Sequence, residues 1–488
     1  MSTKTRSRRL RPEVRGTDRT DRAAPARSVL LISYAFPPQY DVSARRAAKL
    51  CKYLPAAGWR PIVLTKDWTH DVTPEDRRAF AVTSYPEALR ELGEIDVVRT
   101  PYRTRDNALR RLHARLGGAY ASNAVIGSSR APMRGEGRWS PLALTRRALS
   151  LFSPAFGDFP DAFAGWVDTA VLAGVELVRR EPIDAICSLC PPATAHVVAA
   201  EISRRTGVPW VAQFDDLFSF HLERERRSLW RWYAARAHRH WMRRARLAGA
   251  ITPAMLEYVR RTYALDGGIV MVGFDPDDSR VTSPEPRDRM RLVYTGSVYL
   301  DDHRPELLFA ALERVLASRA ERERRIEVVF AGTRHDAELR DRAARFPHAA
   351  QACSFIDRLT PQATFELQRG ADALVLFNYT TPAAANGTLS FPAKSFEYLN
   401  ARRPILAIPR DRGGWGDDLI TSTRTGVAVD SIDEAAGVID RWLREWCATG
   451  TLPYEADESA IALYAQPWQA AVLGGLLDRA VEMTRAPL

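Results

Sequence analysis

Short apolar runs alternate with stretches of helical spacing along most of this chain, and that alternation predicts parallel α/β structure. VLLI at residues 29–32 stops at Pro37 and Pro38. A helical stretch over 43–54 follows, with Ala44, Ala47, Ala48 and Leu50 on its inner side. Gly58 ends it, and PIVLT is the next strand. Strand, helix and strand joined by short links form a βαβ unit, which requires a parallel sheet. The unit recurs in PIDAICSL, PATAHVVAAEISRRTG (closed by Gly207) and VPWVAQF, so residues 28–275 read as an N-terminal doubly wound domain. From about 103 to 160 the rhythm breaks. There RTRDNALRRLHARLGG places Leu109, Leu112 and Leu116 on one helical face beside five arginines, which reads as an insertion with its own short helices. A linker over 276–290 leads to a second alternation over 291–464. Its strands are expected at 292–295, 326–331, 352–356, 373–377, 405–408 and 427–429. Residues 465–488 read as a last apolar helix with no strand after it, expected to pack back across the domain junction.

Composition sharpens this picture in three places. A length of 488 residues exceeds one ordinary core, in agreement with two domains. The net charge of +11 comes partly from residues 1–27, which hold nine Lys or Arg against three acids and almost no large apolar side chain. Such a basic tail cannot bury a core and is expected to be disordered. The remaining surplus suits anionic ligands, whether nucleotides, phospholipids or nucleic acid. There is no apolar signal core and no spanning run, and the five cysteines are scattered, which together suggest a reducing cytoplasm. Cys187 and Cys190 form a single CxxC, and core packing accounts for it better than zinc; no metal is expected.

Candidate chemistry centres on FPAKSFEYLNARRPILAIP, residues 391–409, a short helix followed by a short strand. In open α/β sheets ligands bind beyond the carboxyl ends of the strands, where this helix begins. Pro392 suits a first helical turn. Exposed amides and the helix dipole favour an anion there, whereas Lys394 in that turn is unfavourable until an anion binds. Glu397 lies one turn deeper on the same face and can accept two neighbouring hydroxyls, as on a ribose. The same spacing equally describes a surface ion pair worth a few tenths of a kcal/mol.

Five segments, in this order, resemble a family 4 type (group 1) glycosyltransferase of the GT-B fold. They are LLISYAFPPQYDVSARRAAKLCKYLPAAGWRPIVLT, GVPWVAQFDDLF, VGFDPDD (with Gly273), LVYTGSVY and FPAKSFEYLNARRPILAI. The resemblance covers nearly the whole chain. It implies two Rossmann-like domains facing a cleft, a nucleotide-diphosphate sugar as donor on the C-terminal one, an acceptor on the N-terminal one, and transfer with retention. It also implies that Glu397 holds the donor ribose, with Ser390 nearby, and that Gly296 and Ser297 approach the diphosphate. Lys394 and Arg334 would supply positive charge, the strand end at Ile356 would face the base, and no bound metal or cofactor is required. On the N-terminal side His196 is the histidine that could reach the sugar, against a plain core reading. Asp216 could bind acceptor hydroxyls, and a helix cap accounts for its neighbour Asp215.

Two departures stand out. Leu389 occupies the position of the family's first motif glutamate, and PPQYDVSARR replaces a glycine-rich turn. Arg45 and Arg46 in that stretch read either as charge reaching across the cleft or as solvated helix residues. The expected acceptor is a glycan, a glycolipid or a polyprenyl-linked molecule in polysaccharide assembly. A polyprenyl link would place the protein at the inner membrane leaflet, with NALRRLHARL as the surface-binding segment. Two other readings remain. A nucleotide-sugar 2-epimerase of the same fold needs acid/base groups around one sugar, which the donor strands lack. A silent binding subunit is kept open by Leu389. The basic helix at 228–246, with Trp230, Trp232, Tyr233 and Trp241, reads as an amphipathic helix packing its tryptophans on the sheet, and no nucleic-acid partner is expected.

Overall fold

The computed structural model describes residues 27–39, 41–73, 76–77, 92, 95–103, 159–161, 163–217, 229–278, 287–300, 302–320, 325–333, 336–378, 392–410 and 415–485, with backbone alone for 229–234. Residues 1–26 of the basic tail, nearly all of the 103–160 insertion including NALRRLHARL, and Arg334, Leu389 and Ser390 lie outside these residues, while Arg27 already belongs to the first strand.

Among the described residues thirteen strands form two wholly parallel sheets. The first contains β1 (Arg27–Ile32), β2 (Trp59–Lys66), β3 (Asp96–Thr100), β4 (Ala185–Cys190), β5 (Trp210–Phe214), β6 (Ala245–Ala250) and β7 (Gly267–Ile269), in the order β3-β2-β1-β4-β5-β6-β7. The second contains β8 (Met290–Thr295), β9 (Ile326–Ala331), β10 (Cys353–Ile356), β11 (Ala373–Phe377), β12 (Ile405–Ile408) and β13 (Gly426–Ala428), in the order β10-β9-β8-β11-β12-β13. Both are Rossmann-like, doubly wound domains. Helices cover both faces of a parallel sheet, which is why its central strands are apolar throughout. β11 and β12 are buried at every position.

Local chemistry places the first helix, Val42–Tyr53. Asp41 caps it, its Oδ1 accepting from the Ala44 amide at 2.8 Å. Ala44, Ala47, Ala48, Leu50 and Cys51 turn inward. The opposite side carries Arg45, Lys49 and Lys52 toward the second domain.

The chain crosses between domains at 270–278. Phe274 pairs in parallel with Ala465, and the Phe274 amide donates to the Tyr464 carbonyl at 3.1 Å. Gly273 has φ +65°, and a Cβ there would lie 2.7 Å from the Tyr464 carbonyl oxygen, so glycine is required. The last helix, Gln466–Arg485, packs on the first sheet: Leu473, Leu476, Leu477 and Ala480 are buried with Val29, Leu31, Ala185 and Cys187.

Next to this crossing the Asp275 carboxylate is fully enclosed. It accepts from Lys49 at 2.6 Å, Lys52 at 2.9 Å and the Tyr53 hydroxyl at 2.5 Å. The Asp275 carbonyl accepts from Asn400 Nδ2 at 2.9 Å. One residue thus ties the first helix of the N-terminal domain to the helix Lys394–Ala401 of the other. Burial pushes the Asp275 carboxyl up, but Lys49, Lys52 and Tyr53 outweigh it and hold it at about 2. A carboxyl depressed in the folded state contributes stability above its unfolded pKa and loses it as pH falls from about 4 toward 2. That contribution is roughly 2 kcal/mol at neutral pH. Thermal melts from pH 7 to pH 3 should therefore show Asp275→Asn less stable at pH 7, with the gap to wild type narrowing in acid. A gap constant with pH would contradict the ion-pair account.

Candidate active site at the interdomain cleft

The second sheet changes its direction of build between β8 and β11, the point at which open α/β sheets form a ligand crevice beyond the carboxyl ends of the strands. β8 ends in a turn at Gly296, φ +89°, whose amide donates to the Ala331 carbonyl at 2.8 Å. β9 ends at Gly332, φ +72°, whose amide donates to the Ile356 carbonyl at 3.0 Å. Two adjacent strands thus finish in left-handed glycine turns that leave backbone, not side chain, at the crevice. Ile356 holds the second turn through its carbonyl.

The helix Lys394–Ala401 follows β11 and brings Lys394 to the first turn. Lys394 Nζ donates to the Tyr294 hydroxyl at 2.5 Å and to the Ser297 carbonyl at 3.3 Å, and lies 4.1 Å from the Tyr294 ring centroid. A Cβ on Gly296 would come within 3.5 Å of Nζ. Gly296, Ser297 and Lys394 therefore share one corner. The helix begins at Lys394 itself, and the Ser395 and Phe396 amides already donate to the Pro392 and Ala393 carbonyls at 3.0 and 3.2 Å. Positive charge at this mouth rests on the lysine more than on open amides.

Burial lowers the Lys394 pKa to about 7, against an opposing pull from Glu397. The two do not pair. Glu397 Oε1 accepts from Arg45 Nη1 at 2.9 Å, across the cleft, and Oε2 accepts from Gln368 Nε2 at 3.3 Å. Gln368 also donates to Thr295 Oγ1 at 2.9 Å, so the carboxylate is anchored to the end of β8. The reading of Lys394 and Glu397 as a surface ion pair is thereby set aside: the same helical face sends the two charges to different partners.

Arg45 and Arg46 are both engaged, which corrects the solvated alternative. Arg46 is 3% exposed and donates to the Val270 and Val272 carbonyls, with Asp215 at 3.5 Å. Its work is to hold the domain crossing. Arg45 also lies 3.7 Å from Asp278 and 5.2 Å from the Phe365 ring centroid. A cavity of about 50 Å³ remains between Arg45, Lys49, Phe274, Asp278 and Glu397.

The N-terminal candidates do not gather there. His196 is 1% exposed, its Nδ1 lies 2.7 Å from Ser188 Oγ, and burial pushes its pKa down to about 3. It packs edge-on to Trp210 and Phe214. That placement is a neutral core histidine with no surface from which to meet a sugar, and the catalytic expectation for it is corrected accordingly. Asp216 stands at the end of β5, half-buried, with Oδ1 accepting from the Leu217 amide at 2.7 Å.

Sequence reasoning missed His303. It lies 4% exposed, its Nδ1 accepts from the Tyr299 amide at 3.1 Å, and burial together with Lys394 drives its pKa to about 3. A neutral histidine thus backs the lysine. The signal was its place in the loop after β8, the loop that carries Gly296 and Ser297. Among the described residues no group of His, Cys, Asp and Glu is placed to hold a metal ion, and no helix is long and apolar enough to cross a membrane.

No protein-family model and no curated protein matches the chain. Solved structures do. The N-terminal domain of Candida albicans trehalose-6-phosphate phosphatase matches with a TM-score of 0.50 at 10% identity, over 96% of this chain and 97% of that one. The apo form of the lipopolysaccharide outer core galactosyltransferase WaaB matches with a TM-score of 0.50 at 12% identity, over 93% and 99%. At such identity the likeness is one of fold, and the fold is GT-B.

A lysine whose charge is disfavoured by folding weakens the protein most where it is protonated. Its folded pKa lies below its unfolded one, so stability falls as pH drops from about 10 to about 7. Lys394→Met should raise stability by about 1–3 kcal/mol at pH 6.5, with the gain shrinking toward pH 10. Chemical denaturation at both pH values is the check, and a destabilised variant at pH 6.5 would overturn the assignment.

Proposed function

We propose that this protein is a glycosyltransferase that moves a sugar, with retention, from a nucleotide-diphosphate sugar to a glycan, glycolipid or polyprenyl-linked acceptor in polysaccharide assembly. The observation that carries the reading is the divergence of Lys394 and Glu397. One helix holds a cation with no carboxylate partner among the described residues at the Gly296 turn, and a carboxylate 2.9 Å from an arginine of the opposite domain. That is the charge pattern of a diphosphate followed by a ribose. The shared fold with a galactosyltransferase supports it.

In this reading the glycine turns after β8 and β9 let the diphosphate approach backbone, as their open left-handed geometry permits. As the glycosidic bond to the diphosphate breaks, the sugar gains oxocarbenium character and the leaving oxygens gain negative charge. Lys394, already desolvated, meets that charge without reorganising. Tyr294 and the Ser297 carbonyl hold the ammonium in place, and the neutral His303 nearby contributes no competing charge. Asp216, at the end of β5, is the candidate for acceptor hydroxyls. Ser390 and Arg334 remain candidates and lie outside the described residues. The reaction so written needs no resident metal or cofactor. A polyprenyl-linked acceptor implies a peripheral position at a membrane.

Nucleoside diphosphates and their sugars should raise the melting temperature in a thermal-shift screen, because a ligand of the folded form stabilises it by mass action. Glu397→Gln should weaken the best of them by about 1.5–3 kcal/mol, the worth of a charged hydrogen bond. Their affinity should also fall as pH rises above about 7, where Lys394 loses its proton. Calorimetry that finds neither effect would remove this helix from the donor site. Binding without transfer to any acceptor would favour a binding subunit instead.

A further inference from the structure

The carboxylate assigned to the ribose is already in use. Arg45 Nη1 stands 2.9 Å from Glu397 Oε1, and Gln368 holds Oε2. The space left beside the pair is about 50 Å³, room for little more than water and too little for a ribose. Arg45 comes from the other domain, from the second turn of the helix Val42–Tyr53, so this contact also spans the cleft. Its second carboxylate, Asp278, is 3.7 Å away on the domain crossing, and Phe365 offers a ring face at 5.2 Å. Asp278, which Lys49 also holds at 2.8 Å, therefore keeps a carboxylate beside the guanidinium when it leaves Glu397, at the loss of the shorter of its two ion pairs.

From this geometry, and resting on the donor reading above, we infer that Arg45 is a positioning residue that occupies the ribose carboxylate in the empty protein and is exchanged for the ribose hydroxyls when donor binds. The exchange swaps one set of hydrogen-bond donors on Glu397 for another. The guanidinium keeps Asp278 as its remaining carboxylate, no covalent bond changes and no proton is transferred. Donor selection is then partly a competition: a ligand must offer Glu397 hydroxyls good enough to displace an arginine. It also couples binding to the cleft, because the bond that breaks is one that joins the two domains.

The stretch that carries Arg45, PPQYDVSARR, stands where a glycine-rich turn was expected. A glycine turn would have left the crevice open at this point. Here a side chain closes it.

The test is a double-mutant cycle on full-length protein, read by calorimetry with uridine, guanosine and adenosine diphosphates, using whichever binds wild type best. Arg45→Gln should tighten that ligand about two- to fivefold, the range of a partly exposed ion pair. In a Glu397→Gln background the same substitution should change nothing, since there is no carboxylate left to contest. Arg45→Lys, which keeps a cation in reach, should stay near wild type. Melting curves for each variant establish that it folds, and a merely structural Arg45 would lower the melting temperature without tightening any ligand. If Arg45→Gln leaves affinity unchanged or weakens it while Glu397→Gln weakens it, the exchange is overturned and the donor reading stands. If neither substitution alters affinity, Glu397 is outside the site and both fall.

Discussion

The buried carboxylate of Asp275 joins the two helices that face each other across the domains of this protein. It takes three hydrogen bonds from one helix of the N-terminal domain, from Lys49, Lys52 and Tyr53, and its own carbonyl takes one from Asn400. Asn400 belongs to the helix that carries Lys394 and Glu397. A charge enclosed this way is expensive unless it is fully paired, and breaking one partner typically costs several kcal/mol. A small polar joint thus ties the two helices together, beside the apolar packing of the last helix on the first sheet and of Phe274 with Phe396, Leu399 and Ala465. The contact of Arg45 with Glu397 exists because that joint puts the two helices within reach.

The arginines at this joint differ from those on several outer helices. On the outer helices Arg180, Arg204, Arg205 and Arg261 pair with acids three or four residues away, in contacts worth little to stability. At the crossing Arg45 and Arg46 act over long separations, one to a carboxylate of the other domain and one to carbonyls of the crossing chain. Lys394 differs from both. Its ammonium is desolvated at the mouth of a helix, beside an aromatic ring and a carbonyl. Folded proteins tolerate such a residue where binding an anion recovers what folding gives up.

Much of the fold was legible because parallel sheets write themselves plainly. Strands buried on both faces are short unbroken apolar runs, so β9, β11 and β12 fell where the runs lie, and β13 missed by only one residue. The helix with Lys394 and Glu397 was equally readable, from a proline, an apolar face and two charges at helical spacing. What those charges touch was not. Spacing along one helix tells which residues share a face, but Arg45 is 352 positions away from Glu397, and nothing local announces the meeting. His196 shows the reverse limit. A histidine near a strand end looks the same in sequence whether it faces a cleft or, as here, Trp210 and Phe214. His303 escaped notice because its loop was read for its glycine and serine alone.

Co-crystallisation with a nucleoside diphosphate tests the central claim most directly. The account predicts the diphosphate against Lys394 and the Gly296 turn, the ribose hydroxyls on Glu397, and the Arg45 guanidinium moved off that carboxylate. A nucleotide bound elsewhere, or a crevice in which Arg45 still holds Glu397 beside a bound donor, would contradict it.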